Sequence, residues 1–216
     1  TSVVSLSKLV LWGLESHPLI VWSFFLGLIL ASLRMLARDL KGSWVALIVG
    51  AVLGFILSSM PAGRAELSPV FTFFAGFLAI CAMILPGISG SFILVLLGAY
   101  EPVLESIHER DLTTITIFGT GAILGLLTFG RLLRWLFQRY ERVTVALMTG
   151  FIAGSLTKVW PFRGSRGGWE LPISPSAWQL ETGLDIPWLG IVTAVALGAA
   201  LVLGLDAWAQ SRQPKS

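Results

Sequence analysis

Residues 79–94 read Ala79-Ile80-Cys81-Ala82-Met83-Ile84-Leu85-Pro86-Gly87-Ile88-Ser89-Gly90-Ser91-Phe92-Ile93-Leu94: apolar flanks around a short core of Pro, Gly and Ser. Pro86 cannot continue a helix, and Gly87 and Gly90 permit a sharp reversal of the chain. Ser89 or Ser91 is placed to cap a second helix running from about Phe92 to Ala99. The enclosing apolar stretch covers 70–100, which is 31 residues. As one helix it is about 46 Å long, too long for a hydrocarbon core of roughly 30 Å, yet two crossings want about 40 residues. A re-entrant hairpin of two half-helices fits, with its tip at Pro86, Gly87, Ile88, Ser89, Gly90 and Ser91. Broken backbone at membrane depth persists only where protein or a wet cavity satisfies its polar groups, which makes the tip a candidate site.

The rest of the chain is the setting such a hairpin needs. Of 216 residues, 55% are hydrophobic and 12% charged, against about 25% charged in soluble domains, and the mean hydropathy is +0.83. Simple apolar runs at 19–36, 44–59, 113–136, 141–157 and 187–207 predict five spanning helices. The predicted fold is therefore all-α, a polytopic membrane protein of about five spans plus one re-entrant hairpin. Cys81 stands alone, so disulfides play no part, and His17 and His108 are far apart, so no metal site is expected. No nucleotide-binding loop or nucleic-acid module is present, and no cofactor is implied.

Loop charge sets the topology. Arg34, Arg38, Asp39 and Lys41 leave residues 34–43 net positive, and Arg131, Arg134, Arg139, Glu141 and Arg142 do the same for 131–142. Both are expected on the cytoplasmic side. Glu101, Glu105, Glu109, Arg110 and Asp111 leave 101–111 without positive excess. Between the positive loops the chain must cross an even number of times, so 70–100 enters and leaves from the non-cytoplasmic face.

Sliding the sequence by 123 residues aligns 7–33 with 130–156. Leu9, Trp12, Gly27, Ile29, Ser32 and Leu33 fall on Leu132, Trp135, Gly150, Ile152, Ser155 and Leu156. By the topology above the two copies run in opposite directions, as in inverted-repeat transporters. The organisation expected is one membrane domain: 1–60 as the end of a first repeat plus a linking span, 61–161 as a second repeat, and 162–216 as an external loop and last span. The repeat predicts an upstream segment with its own broken hairpin, entering from the cytoplasmic face; that N-terminal repeat is an expected partner of this chain.

Half-helix N-termini near the midplane suit anionic groups, because their N–H groups and dipole favour negative charge. The tip supplies such donors and two hydroxyls but no full charge. Arg131 is the best cation for a phosphate, with Arg34, Arg64 and Lys158 behind it. Gly119, Gly121, Gly125, Gly150 and Gly154 read as close-packing positions between helices. Trp160-Pro161 reads as an interfacial stop, and 162–187 as an external loop.

The long stretch from Ala79 to Leu94 resembles the signature of a bacterial membrane family, the undecaprenyl-phosphate (polyprenyl-phosphate) translocases. Phe24 to Ser32, and Gly154-Ser155-Leu156 followed by Trp160-Pro161, resemble two further stretches of that family. Its longer members carry an earlier Pro-Gly-Val-Ser-Gly-Gly hairpin. The resemblance implies a flippase that returns undecaprenyl phosphate across the bacterial plasma membrane for cell-wall precursor recycling. It places the substrate at Pro86 through Ser91, with Arg131, Ser155 and Trp160; a headgroup cradled at the tip would leave the isoprenoid tail in lipid.

Two enzyme readings compete. Gly87-Ile88-Ser89-Gly90 also fits the nucleophile turn of a rhomboid-like serine protease, which needs a base in a later span. A lipid-phosphate phosphatase or transferase would array His, Asp or Glu with arginines; Glu101, Glu105 and His108 share one loop. No catalytic residue is expected on the transporter reading.

Overall fold

The computed structural model describes residues 12–37, 40, 42–61, 63, 68–87, 89–166 and 169–211. Helices dominate it: α1 (Pro18–Ala37), α2 (Trp44–Ser59), α3 (Pro69–Ile84), α4 (Gly90–Leu97), α5 (Tyr100–His108), α6 (Leu112–Ser155), α7 (Pro175–Thr182) and α8 (Trp188–Ser211). One small departure from all-α is a hairpin of two short strands, β1 (Arg163–Arg166) and β2 (Trp169–Pro172), inside the expected external loop. That loop is otherwise held by Phe162, which is buried and meets Trp160 and Trp178 edge-on and Trp188 at a tilt, while Trp160 Nε1 donates to the carbonyl of Ile173.

Contacts divide the chain into two compact units, the first made of α1, the loop after Ser155 and α8, the second of everything from Leu40 to Ser155. In the second, α6 is two helices in one run. Tyr140 breaks it, with φ −136° and ψ 44°, and Thr144 Oγ1 spans the break by donating to the carbonyls of Leu136 and Tyr140. The spans expected at 113–136 and 141–157 are these two limbs, joined by a bend rather than a loop. Upstream, Asp111 starts the run by accepting from the N–H groups of Thr113 and Thr114 and from the Thr114 hydroxyl.

Helices α1, α6 and α8 are long and apolar enough to cross a membrane. By contrast α2 and α3 have 16 residues each, about 24 Å. After α3 the chain breaks at Leu85 and returns as α4, only eight residues long. Its first turn lies on α3: a Cβ on Gly90 would come within 2.7 Å of the Ala79 carbonyl oxygen. The hairpin is thus real but lopsided, and its second limb is Gly90–Leu97 rather than Phe92–Ala99. Gly98, at φ 70°, ends that limb, and the chain then bends by 106° into α5. Ala75, Ala79, Leu94, Ala99 and Val103 form the core of this region, with Phe71, Leu97 and Phe118 against it.

Glycines set the helix pairing. In the second unit a Cβ on Gly50 would overlap the Leu147 carbonyl, on Gly54 that of Phe151, on Gly150 that of Leu47, and on Gly154 that of Ala51. Residues 47 and 51 thus meet 150 and 154 in ascending order, so α2 and the second limb of α6 run parallel. Such seams let backbones touch, gaining dispersion and weak Cα–H···O contacts where lipid offers no hydrophobic drive. Gly121 and Gly125 pack in the same way on Phe73 and Phe77 of α3.

The first unit repeats the device. A Cβ on Gly27 would overlap the Val195 carbonyl, and one on Gly198 that of Phe24. Phe24 and Gly27 lie 123 residues before Leu147 and Gly150; Val195 and Gly198 lie 148 residues after Leu47 and Gly50. The two contact sets are therefore equivalent pair for pair. α8 is the counterpart of α2, with Ala46, Gly50, Ala51, Leu53 and Leu57 matching Ala194, Gly198, Ala199, Leu201 and Leu205. Parallel packing of α1 with α8, and of α2 with the second limb of α6, also agrees with the directions deduced from loop charge.

Candidate functional site

At the tip, Pro86, Gly87, Ser89 and Ser91 are exposed, and Gly90 is half-buried; Ile88 lies outside the described residues. Gly87 adopts φ +97°, a left-handed conformation that favours glycine. A Cβ there would stand 2.9 Å from Ser155 Oγ and 3.5 Å from the Ile152 Cα. The tip therefore rests on the C-terminal end of the second limb of α6, and two residues singled out from sequence, Gly87 and Ser155, are brought together. Ser155 itself is buried and donates to the Ile152 carbonyl at 3.0 Å.

Ser89 occupies the N-cap position of α4 but makes no side-chain cap; its Oγ lies 2.6 Å from Ser91 Oγ. The capping expected of one serine is thus replaced by a hydroxyl pair at the start of an apolar half-helix. Two hydroxyls that bond each other keep one proton and several lone pairs free for a third group. Together with the positive end of the helix dipole, they form a compact place for an anionic oxygen.

Arg131 is exposed, and no hydrogen bond or ion pair joins it to the tip among the described residues. Its depth is nevertheless fixed by packing. Residues 73 and 77 meet 121 and 125 across the α3–α6 seam. Carrying that register on by six residues, about 9 Å, brings Arg131 level with Met83, just before the break. Along the helix axis residue 131 is therefore level with the end of α3, with no contact to the tip among the described residues.

Beside the tip, α3, α4 and the end of α2 enclose a cavity of about 350 Å³ whose walls include Leu57, Met60, Leu78, Cys81, Leu85 and Ile93. None of these was picked out from sequence as functional. Each reads as an ordinary apolar helix residue, and only the fold-back of α4 makes them one surface. Ser59, at the end of α2, is fully buried and its Oγ has no hydrogen-bond partner. His108 Nδ1 lies 2.9 Å from the Leu104 carbonyl in α5, and no group of three or more metal-binding side chains occurs among the described residues.

Comparison with known proteins places the chain among relatives of known family. A family model described as undecaprenyl phosphate translocase-like matches residues 1–169. A curated polyprenyl-phosphate transporter of Vibrio cholerae is 38% identical over 225 residues, covering 97% of this chain and 73% of that protein. Another, from Staphylococcus aureus, is 28% identical over 216 residues, covering 90% of this chain and 73% of that protein. No solved structure matches the chain.

Proposed function

The chain belongs to the undecaprenyl phosphate translocase-like family, and on that premise we infer that it is a lipid-phosphate transporter acting on polyprenyl phosphate. Its place is the bacterial plasma (inner) membrane, which it crosses several times, and its role is the return of undecaprenyl phosphate for cell-wall precursor synthesis. The observation that carries the site is the exposed Ser89–Ser91 hydroxyl pair, 2.6 Å apart, at the start of an apolar half-helix. The phosphate sits at this tip, accepting from the hydroxyls and the first turn of α4, with Ser155 supporting Gly87 and Arg131 supplying charge at the same depth. Hydrogen bonds to a charged group contribute roughly 1.5–3 kcal/mol each, enough to hold a headgroup against water without trapping it.

No covalent step is needed. The relatives are named as transporters, and Ser89 bonds another hydroxyl, which supports movement of the lipid without a covalent step. The equivalence of the two glycine seams supports a pair of intertwined inverted repeats. On that reading the copy around Ser32 serves a second hairpin from the other repeat of the protein.

Uptake of a fluorescent polyprenyl phosphate into liposomes tests the site. The double variant Ser89→Ala/Ser91→Ala and the single variant Arg131→Gln should each slow headgroup transfer by roughly tenfold or more. Unchanged rates in folded protein would remove the phosphate from the tip. Gly90→Leu is the wrong probe, since its side chain would strike the Ala79 carbonyl and break the hairpin itself.

A further inference from the structure

The 350 Å³ cavity adjoins the tip on both sides of the break. Leu85 immediately precedes Pro86, and Ile93 follows Ser91 by two residues. An apolar group attached to a phosphate at the Ser89–Ser91 pair therefore meets these two side chains first. The walls beyond are apolar, with Leu78, Cys81 and Ala82 from α3 and Leu57 from α2; the Cys81 Sγ itself donates to the Gly125 carbonyl of α6 at 3.9 Å. Volumes of roughly 300–1,000 Å³ are usual for small-molecule sites, so this one has room for a few isoprene units and not for a long chain.

Resting on the lipid-phosphate reading above, we propose that this cavity seats the head-proximal isoprene units of the substrate, while the remainder of the tail stays in lipid. Ile93 lies one helical turn after Ser89, its N–H donating to the Ser89 carbonyl at 3.2 Å. A wholly apolar pocket thus begins one turn from the hydroxyl pair, an arrangement complementary to an amphiphile with a small anionic head. Within a bilayer there is no hydrophobic gain in leaving lipid for protein, so selection rests on shape and dispersion contacts. Branched, unsaturated isoprene units and straight acyl chains differ in that respect. Recognition should therefore grow with tail length only until the cavity is full.

Cys81, the one cysteine of this sequence, lies in the wall and reports occupancy directly. The experiment is alkylation of Cys81 by N-ethylmaleimide in the liposome-reconstituted protein, followed by mass spectrometry. Farnesyl phosphate, dodecyl phosphate and inorganic phosphate are compared as protectants, with undecaprenyl phosphate transport measured alongside. Farnesyl phosphate should slow alkylation roughly fivefold or more, dodecyl phosphate much less, and inorganic phosphate not at all. Ala82→Phe, which fills the cavity, should abolish the protection; Ile93→Trp does the same work if Ala82→Phe fails to fold. Farnesyl phosphate that inhibits transport without protecting Cys81 would overturn the tail site and leave the transporter reading intact. Equal protection by dodecyl phosphate would overturn recognition of the isoprene unit. Absence of any undecaprenyl phosphate transport would overturn the functional reading, and the tail site with it.

Discussion

The two parallel helix pairs, α1 with α8 and α2 with the second limb of α6, use one packing rule at two densities. In the second pair four glycines, Gly50, Gly54, Gly150 and Gly154, lie against facing carbonyls. In the first, only Gly27 and Gly198 do so; the positions matching Gly154 and Gly54 are Ala31 and Val202. The pair with the denser seam is also the one that supports the hairpin tip, through Ser155. Close backbone contact leaves little freedom to shift, and that is useful where a strained turn at Gly87 must be held.

The comparison is most severely tested at its centre. Gly150→Val should be the most damaging change, because its Cβ meets the Leu47 backbone in the dense seam. Overpacking of this kind costs roughly 1–3 kcal/mol or more, and thermal unfolding in detergent should show a drop of several degrees with loss of transport. Gly27→Val, the matching change in the looser pair, should cost clearly less by the same measurement. Equal losses would mean that the two seams are energetically alike and that glycine count is irrelevant. Ser155→Leu should come next, displacing Gly87 and slowing transport while leaving most of the unfolding temperature intact. A full fall in stability would instead make Ser155 part of the seam.

The smallest effect concerns neither seam but the start of α6. The Thr114 hydroxyl and backbone N–H, with that of Thr113, hold the Asp111 carboxyl below its usual range. A depressed carboxylate stabilises the fold above its unfolded pKa of about 3.9 and loses that contribution as pH falls through the lower folded value. Asp111→Asn should therefore lower stability slightly at neutral pH and converge on the parent as pH falls, which flattens the acid end of a stability–pH profile. A change at pH 7 as large as that of Gly27→Val would assign the residue a different role.

Much of this architecture was legible in the residues. Length and parity alone required 70–100 to turn back, and Pro86 with its glycines marked where. The offset of 123 found one half of the repeat because Gly27 and Gly150 are both needed for backbone contact. The other half, α2 matching α8, was hidden: its offset of 148 differs because the segment after Ser155 holds two strands and α7, whereas only six residues of sequence separate α1 from α2. Also unreadable was the contact of Gly87 with Ser155, which depends on how far α3 descends before it breaks. Boundaries of α4 slipped by two residues because Ser89 rather than Ser91 holds the N-cap position and Gly98, at φ 70°, ends the helix. The cavity walls carried no signal, since any apolar sequence at those positions reads alike until α4 folds back.

The intertwined seams also impose an order on synthesis. Leu47 waits for Gly150, 103 residues later, and Gly27 waits for Val195, 168 residues later. At roughly 5–20 residues per second, α1 remains in the membrane without its partner for about ten to thirty seconds, exposing Gly27 and the Phe24 carbonyl to whatever lies nearby. A ribosome that stops after Ser155 would complete the dense pair but leave α1 unmatched. The nascent chain is then a natural target for insertase chaperones and membrane proteases until α8 emerges.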